Sequence, residues 1–181
     1  MPETRMSASG RIAAPAEKLF EIVSSPAGHV EIDGSGMLVA SVDGGTVTKV
    51  GDFFDMNMDR EPLGDFPEMG KYQVRNTVTQ FEPNRLFEWG VGMVDGDPIG
   101  HVYGWELTPV SDTETDVTNY TDWSGIPADM KSYWPIVPLH MLEESVEKLR
   151  RVATTTERGS GHHPLWSPPN PESAPVGSNL R

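Results

Sequence analysis

The spacing of apolar and polar positions changes character several times along the chain. Met6 to Ile12 alternates, as a half-buried strand does. Ala14-Pro15 follows, and proline suits a first helical turn because its missing N–H costs nothing there. Leu19, Phe20, Ile22 and Val23 then recur at helical spacing and predict a short helix. Ser25-Pro26 repeats the start signal, with Ser25 as N-cap, and predicts a second short helix ending near Gly34.

Strand patterns dominate from there. Met37 to Val42 is one, closed by the turn signal Asp43-Gly44-Gly45. In Asp52–Asp59, Phe54, Met56 and Met58 share one face while Asp55, Asn57 and Asp59 share the other. Residues 60–70 carry Pro62, Gly64, Pro67 and Gly70 and predict a loop. Lys71–Phe81 places Tyr72, Val74, Asn76 and Val78 together, and Glu82-Pro83-Asn84 turns the chain into Leu86–Val91 with Phe87 and Trp89. Gly100–Val110 aligns His101, Tyr103, Trp105 and Leu107, and Thr115–Trp123 aligns Val117, Asn119, Thr121 and Trp123. A single long helix over Pro138–Thr156 closes the series. Its stripe is Leu142, Val146, Leu149 and Ala153, and Glu144–Lys148 and Glu147–Arg151 are spaced as i,i+4 ion pairs. The order is one strand, two short helices, about six strands and a long helix. It predicts an α+β fold: a curved, seven-stranded antiparallel sheet wrapped around the C-terminal helix. One helix cannot fill such a sheet, so either large side chains plug the interior or a cavity remains.

Composition narrows the partners. The chain has 181 residues, 14 Lys+Arg, 27 Asp+Glu and no cysteine. Disulfides and thiolate chemistry are excluded. A formal charge of -13 argues against nucleic acid and against anionic lipid headgroups. No apolar run reaches the roughly 20 residues that span a bilayer, and Met1–Gly10 lacks an apolar signal core, so membrane insertion is not expected and a cytoplasmic location is. From Glu157 to Arg181, 12 of 25 residues are Pro, Gly or Ser. This segment is expected to be a flexible tail after a folded domain over residues 1–156.

Several runs resemble one superfamily in the order in which they occur. Gly10-Arg11-Ile12-Ala13-Ala14-Pro15-Ala16-Glu17-Lys18-Leu19-Phe20 resembles the strand-to-helix junction of START-like, or SRPBCC, helix-grip domains. Val50–Met58, Asn76-Thr77-Val78, Phe81–Arg85 with Trp89, Trp105–Pro109, Thr115–Thr118 and Tyr120–Ser124 resemble its polyketide cyclase/dehydrase-like branch. The resemblance covers about residues 6–156. It implies an apolar cavity between sheet and helix, and it spans carriers, hormone receptors and aromatase/cyclases, so fold does not fix activity.

The candidate chemistry lies on the predicted concave face. Trp89, Tyr103, Trp105 and Trp123 combine large apolar bodies with one polar tip, which suits orientation of an amphipathic ligand. Met56 and Met58 are adaptable wall residues. Asn76 and Asn119 could polarise a carbonyl, and His101 is a candidate acid or base, although no partner for it is evident. Asp55, Asn57 and Asp59 point outward in a row, whereas a calcium loop needs a curled backbone. His162-His163 are weak ligands, and no metal or cofactor is expected. Residues 60–70, with Leu63, Phe66 and Met69, and residues 127–138, with Met130, Tyr133, Trp134 and Ile136, are candidate walls of a cavity mouth. The expected function is binding of a small hydrophobic or aromatic metabolite of lipid or polyketide type. An aromatase/cyclase-like enzyme and a protein-interaction module with a filled core are the alternatives. They differ in whether His101 has a polar partner and whether a void exists.

Overall fold

A computed structural model describes residues 3–42 and 45–155. The Pro/Gly/Ser-rich tail, with His162 and His163, and most of the Asp43-Gly44-Gly45 turn lie outside the described residues. Strand β1 (Arg5–Ile12) buries Ala8 and Ile12 on one face. Helix α1 (Ala16–Val23) buries Ala16, Leu19, Phe20 and Val23, a stripe of four at helical spacing. Pro15 precedes it in extended conformation, at the N-cap rather than inside the first turn. Helix α2 (Pro26–Ile32) starts where Ser25 Oγ accepts the Gly28 N–H at 3.3 Å.

Six strands follow: β2 (Leu38–Ser41), β3 (Phe53–Asp59), β4 (Lys71–Glu82), β5 (Leu86–Met93), β6 (Pro98–Pro109) and β7 (Thr115–Asp122). They pair with β1 in the order β1-β7-β6-β5-β4-β3-β2, every pairing antiparallel. Consecutive antiparallel pairings therefore run from β2 at one edge to β7, and β1 adds to β7 as the other edge. Register irregularities between Val78 and Gln80 and between Gly90 and Gly92 interrupt the ladder in the middle of the sheet, where such breaks increase bending. Helix α3 (Leu139–Thr155) lies against β1, β7, α1 and α2. Its buried face is Leu142, Ser145, Val146, Leu149 and Ala153, the predicted stripe with one serine added.

Two details depart from the sequence reading. Lys148 Nζ donates to the Asp33 carbonyl at 2.6 Å instead of reaching Glu144. Glu144 takes Arg151 at 2.6 Å, and Glu147 takes Arg150. A half-buried carbonyl at the end of α2 competes better for an ammonium than an exposed i,i+4 carboxylate, which is worth only about 0.2–0.5 kcal/mol. Second, Tyr120 is buried on the outer face of the sheet. Its hydroxyl donates to Glu88 Oε2 at 2.7 Å, Thr79 donates to Glu88 Oε1 at 2.8 Å, and Arg5 lies 4.0 Å from the tyrosine ring. The ring covers Gly104, which leaves no room for a Cβ.

Candidate functional site: an apolar cavity between sheet and helix

Helix α3 packs on β1 and β7, and the concave faces of β3 to β6 stand away from it across the wide half of the sheet. A cavity of about 360 Å³ remains, within the usual range for small-molecule sites. Strand periodicity puts its wall together. Met58 and Tyr72 are cross-strand partners, as are Trp89 and Tyr103, and Trp105 and Asn119. Met141, Leu142 and Ser145 of α3 form the opposite wall, and His29 and Ile32 of α2 close one end.

Met58, Asn76, Trp89, His101, Tyr103, Trp105 and Asn119 all line the cavity. Met56 and Trp123, also expected to face a ligand, do not line it. Met56 has no exposed surface and packs in the apolar core beside its cross-strand neighbour Val74. Trp123 follows the last residue of β7, where alternation has ended, and its backbone N–H donates to the Thr4 carbonyl at 2.8 Å. Asn119 lines the wall but is committed, since Nδ2 donates to the Gly104 carbonyl at 3.1 Å.

Aromatic rings dominate one side. Trp89 and Tyr103 stack at 6.1 Å, Phe87 lies 5.5 Å from Trp89, and His29 lies 4.4 Å from Trp89. His29 donates from Nε2 to the Val23 carbonyl at 2.6 Å, which leaves Nδ1 as an acceptor. Burial pushes its pKa down to about 4 against the pull of that carbonyl. His101 is pushed down to about 4 by burial alone. Both rings are therefore neutral at pH 7. Burial holds the Tyr103 phenol well above its ordinary value.

Among the described residues, three polar atoms of the lining are buried without a hydrogen-bond partner: Asn76 Oδ1, His101 Nδ1 and Trp134 Nε1. Buried polar groups are ordinarily paired, because an orphan costs about 1–3 kcal/mol. Their shared placement is a property of the site. His101 and Trp134 lie 5.2 Å apart, and Asn76 is the register partner of Val91 on the strand next to that of His101.

The mouth is apolar. Phe66 and Met69 reach it from the loop after β3, Met93 and Ile99 from the β5–β6 hairpin, and Met130 and Tyr133 from the segment before α3. All six are also exposed to solvent, Tyr133 by 61%. Arg60 staples the first loop. Its backbone N–H donates to the Gly70 carbonyl at 2.9 Å, and its guanidinium grips Asp65 with Nε–Oδ1 2.9 Å and Nη2–Oδ2 2.6 Å. It is 6% exposed and lines the cavity. Leu63 packs on the core instead of the mouth.

His29, Arg60 and the small polar group Asp33, Ser35 and Ser145 escaped the sequence reading. Arg60 had a signal: it is the only base between Lys49 and Lys71, in a Pro/Gly loop with an aspartate five residues on. His29 had none, because its neighbour Trp89 is 60 positions distant. Asp55, Asn57 and Asp59 are separately engaged, with Arg75 at 2.8 Å, Gln73 at 2.8 Å and the Glu61 N–H at 3.0 Å.

No family model matches the chain. It is similar to an uncharacterized protein of Mycobacterium tuberculosis, Rv0088, with 36% identity over 119 residues, 66% of this chain and 47% of that protein. A second, MT0096, from another strain of the same organism, is 35% identical over the same length. The chain spans about half the length of the curated relatives it matches. Among solved structures it is similar to protein Ms6760 of Mycobacterium smegmatis, at TM-score 0.62 and 15% identity, covering 84% of this chain and 92% of that one. It is also similar to a point mutant of norcoclaurine synthase from Thalictrum flavum in complex with a transition-state analogue, at TM-score 0.57 and 16% identity, covering 84% and 95%. These likenesses support the helix-grip fold. No helix of the described residues is long and apolar enough to cross a membrane.

Proposed function

We propose that the protein binds a small, largely apolar or aromatic molecule in the cavity between sheet and α3. The observation that carries this reading is the 360 Å³ void itself, walled by Trp89, Tyr103, Trp105 and Trp134 and left open at an apolar mouth. Affinity comes from burying ligand surface, at about 25 cal/mol per Å² before ordering costs. Trp89 and Tyr103 offer a stacking face, and Met58 adapts to the ligand's outline. The lipid or polyketide nature of the molecule belongs to the same proposal.

The alternatives are less well supported. An acid–base enzyme built on His101 needs a partner that raises its basicity. Arg75 is bound to Asp55 on the outer face, and among the described residues no side chain hydrogen-bonds His101 Nδ1. A protein-interaction module of the filled-core type is at odds with the void.

Titration with apolar fluorescent probes tests the reading through tryptophan emission, since Trp89, Trp105 and Trp134 line the cavity. Saturable quenching or a blue shift is expected. Unchanged emission with every aromatic and aliphatic class would end it.

A further inference from the structure

The proposal that follows rests on the ligand-binding reading and sharpens it to a ligand class. We infer that the cavity selects an uncharged aromatic molecule bearing a hydroxyl group, and rejects both carboxylates and amines of the same shape. The charges at the wall argue for this. A carboxylate entering the cavity needs a cation, and the only one on its wall among the described residues is Arg60. That guanidinium is already held by both oxygens of Asp65. The two wall histidines stay neutral, being buried among rings, and offer no positive charge.

An ammonium fares no better. Asp33 is the carboxylate on the wall, and its oxygens accept from Ser35 N–H at 2.9 Å, Ser35 Oγ at 2.7 Å and Leu38 N–H at 3.0 Å. Three of its about four lone-pair sites are spent on the chain itself, and the Lys148 ammonium already donates to the carbonyl of the same residue at 2.6 Å. A charged ligand of either sign would therefore lose its water without finding an uncommitted counterion.

The unpartnered atoms argue for the hydroxyl. Trp134 Nε1–H is a donor only, and Asn76 Oδ1 is an acceptor only. His101 Nδ1 is an acceptor in one tautomer of its neutral ring. A hydroxyl both accepts and donates, so it can take the indole N–H and give its proton to Asn76 or His101. A ketone answers only the indole, and a plain hydrocarbon answers none of the three. The stacked Trp89–Tyr103 pair supplies the matching flat surface.

Four probes of one shape separate these terms at pH 7: naphthalene, 2-naphthol, 2-naphthoate and 2-naphthylmethylammonium, titrated by calorimetry and tryptophan emission. 2-Naphthol is expected to bind about tenfold more tightly than naphthalene, and either ion at least about tenfold more weakly than 2-naphthol. Trp134→Phe should erase the difference between naphthol and naphthalene. Asp65→Asn, at a partly exposed loop position, releases Arg60 and should raise naphthoate affinity about tenfold. An ion that matches naphthol in the unaltered protein, or a naphthol advantage that survives Trp134→Phe, overturns the inference while leaving the cavity reading intact. Failure of all four probes to bind overturns both.

Discussion

His29 and Trp89 meet with ring centroids 4.4 Å apart, one from the second helix and one from the fifth strand, at the cavity wall. The contact joins the helical layer to the sheet where the void begins. The His29 Nε2–H bond to Val23 fixes the ring's tautomer, and the surrounding Phe54, Phe87 and Trp89 rings keep it dry. A helix residue that holds one aromatic wall open is thereby also a buried base that does not charge at neutral pH.

That burial makes stability depend on pH. His29 and His101 have folded values near 4, below the ordinary 6.5. Above pH 6.5 neither folded nor unfolded form binds the proton, so no penalty applies. Between 6.5 and about 4 the unfolded chain is protonated and the folded one is not, so stability falls as pH drops, by roughly 1.4 kcal/mol per unit for each histidine. Below that range the folded rings protonate too and this loss levels off. Asp55, Asp65 and Asp116, each held down chiefly by hydrogen bonds from its arginine partner, then add their own loss at more acid pH. Urea midpoints at pH 7, 6 and 5 should decline steadily, and His29→Gln should flatten the slope. A level series from pH 7 to 5 would refute neutral burial.

His101→Leu should raise the thermal midpoint of the ligand-free protein. The substitution removes a buried atom that has no partner, worth about 1–3 kcal/mol, and keeps similar bulk. The same variant should bind hydroxylated probes less well, the usual opposition between site chemistry and stability. Differential scanning calorimetry reads the first effect, and a lowered midpoint would show that Nδ1 is satisfied in solution.

Gly104→Ala should be among the most damaging surface-side changes. The new methyl would enter the space of the Tyr120 ring, and shifting that ring also strains its bond to Glu88. Overpacking of this kind costs about 1–3 kcal/mol. Tyr120→Phe tests the second half alone: it leaves a buried carboxylate oxygen without its donor, a loss of about 1–3 kcal/mol. Denaturant titration of both variants gives the comparison, and wild-type midpoints would contradict the outer-face cluster.

Arg60→Met should loosen residues 60–70 before it unfolds the domain. The methionine keeps the apolar stem but loses the two bonds to Asp65 that staple the loop. Removing one partner of such a pair is destabilising by up to about 3 kcal/mol, less here because Asp65 is partly exposed. Limited proteolysis should show faster cleavage within the loop while far-ultraviolet dichroism is unchanged. Equal cleavage rates would mean that Phe66 and Met69 are held by packing alone.

The chain's own pattern determined the elements and their order. Alternation over β3 to β7, the Ser25 cap and the Leu142–Ala153 stripe are local properties, and the sheet with its gripping helix follows from them. Alternation also selected the concave face correctly for Met58, Asn76, Trp89, His101, Tyr103, Trp105 and Asn119. What it could not assign is depth. Met56 and Met58 share a face and both are buried, but only Met58 also lines the cavity. The inward turn of Arg60 and the meeting of His29 with Trp89 were likewise settled by tertiary structure. A periodicity of two or of 3.6 records which way a side chain points. How far the opposing layer stands from it depends on residues remote in sequence, and only the assembled sheet and helices fix that distance.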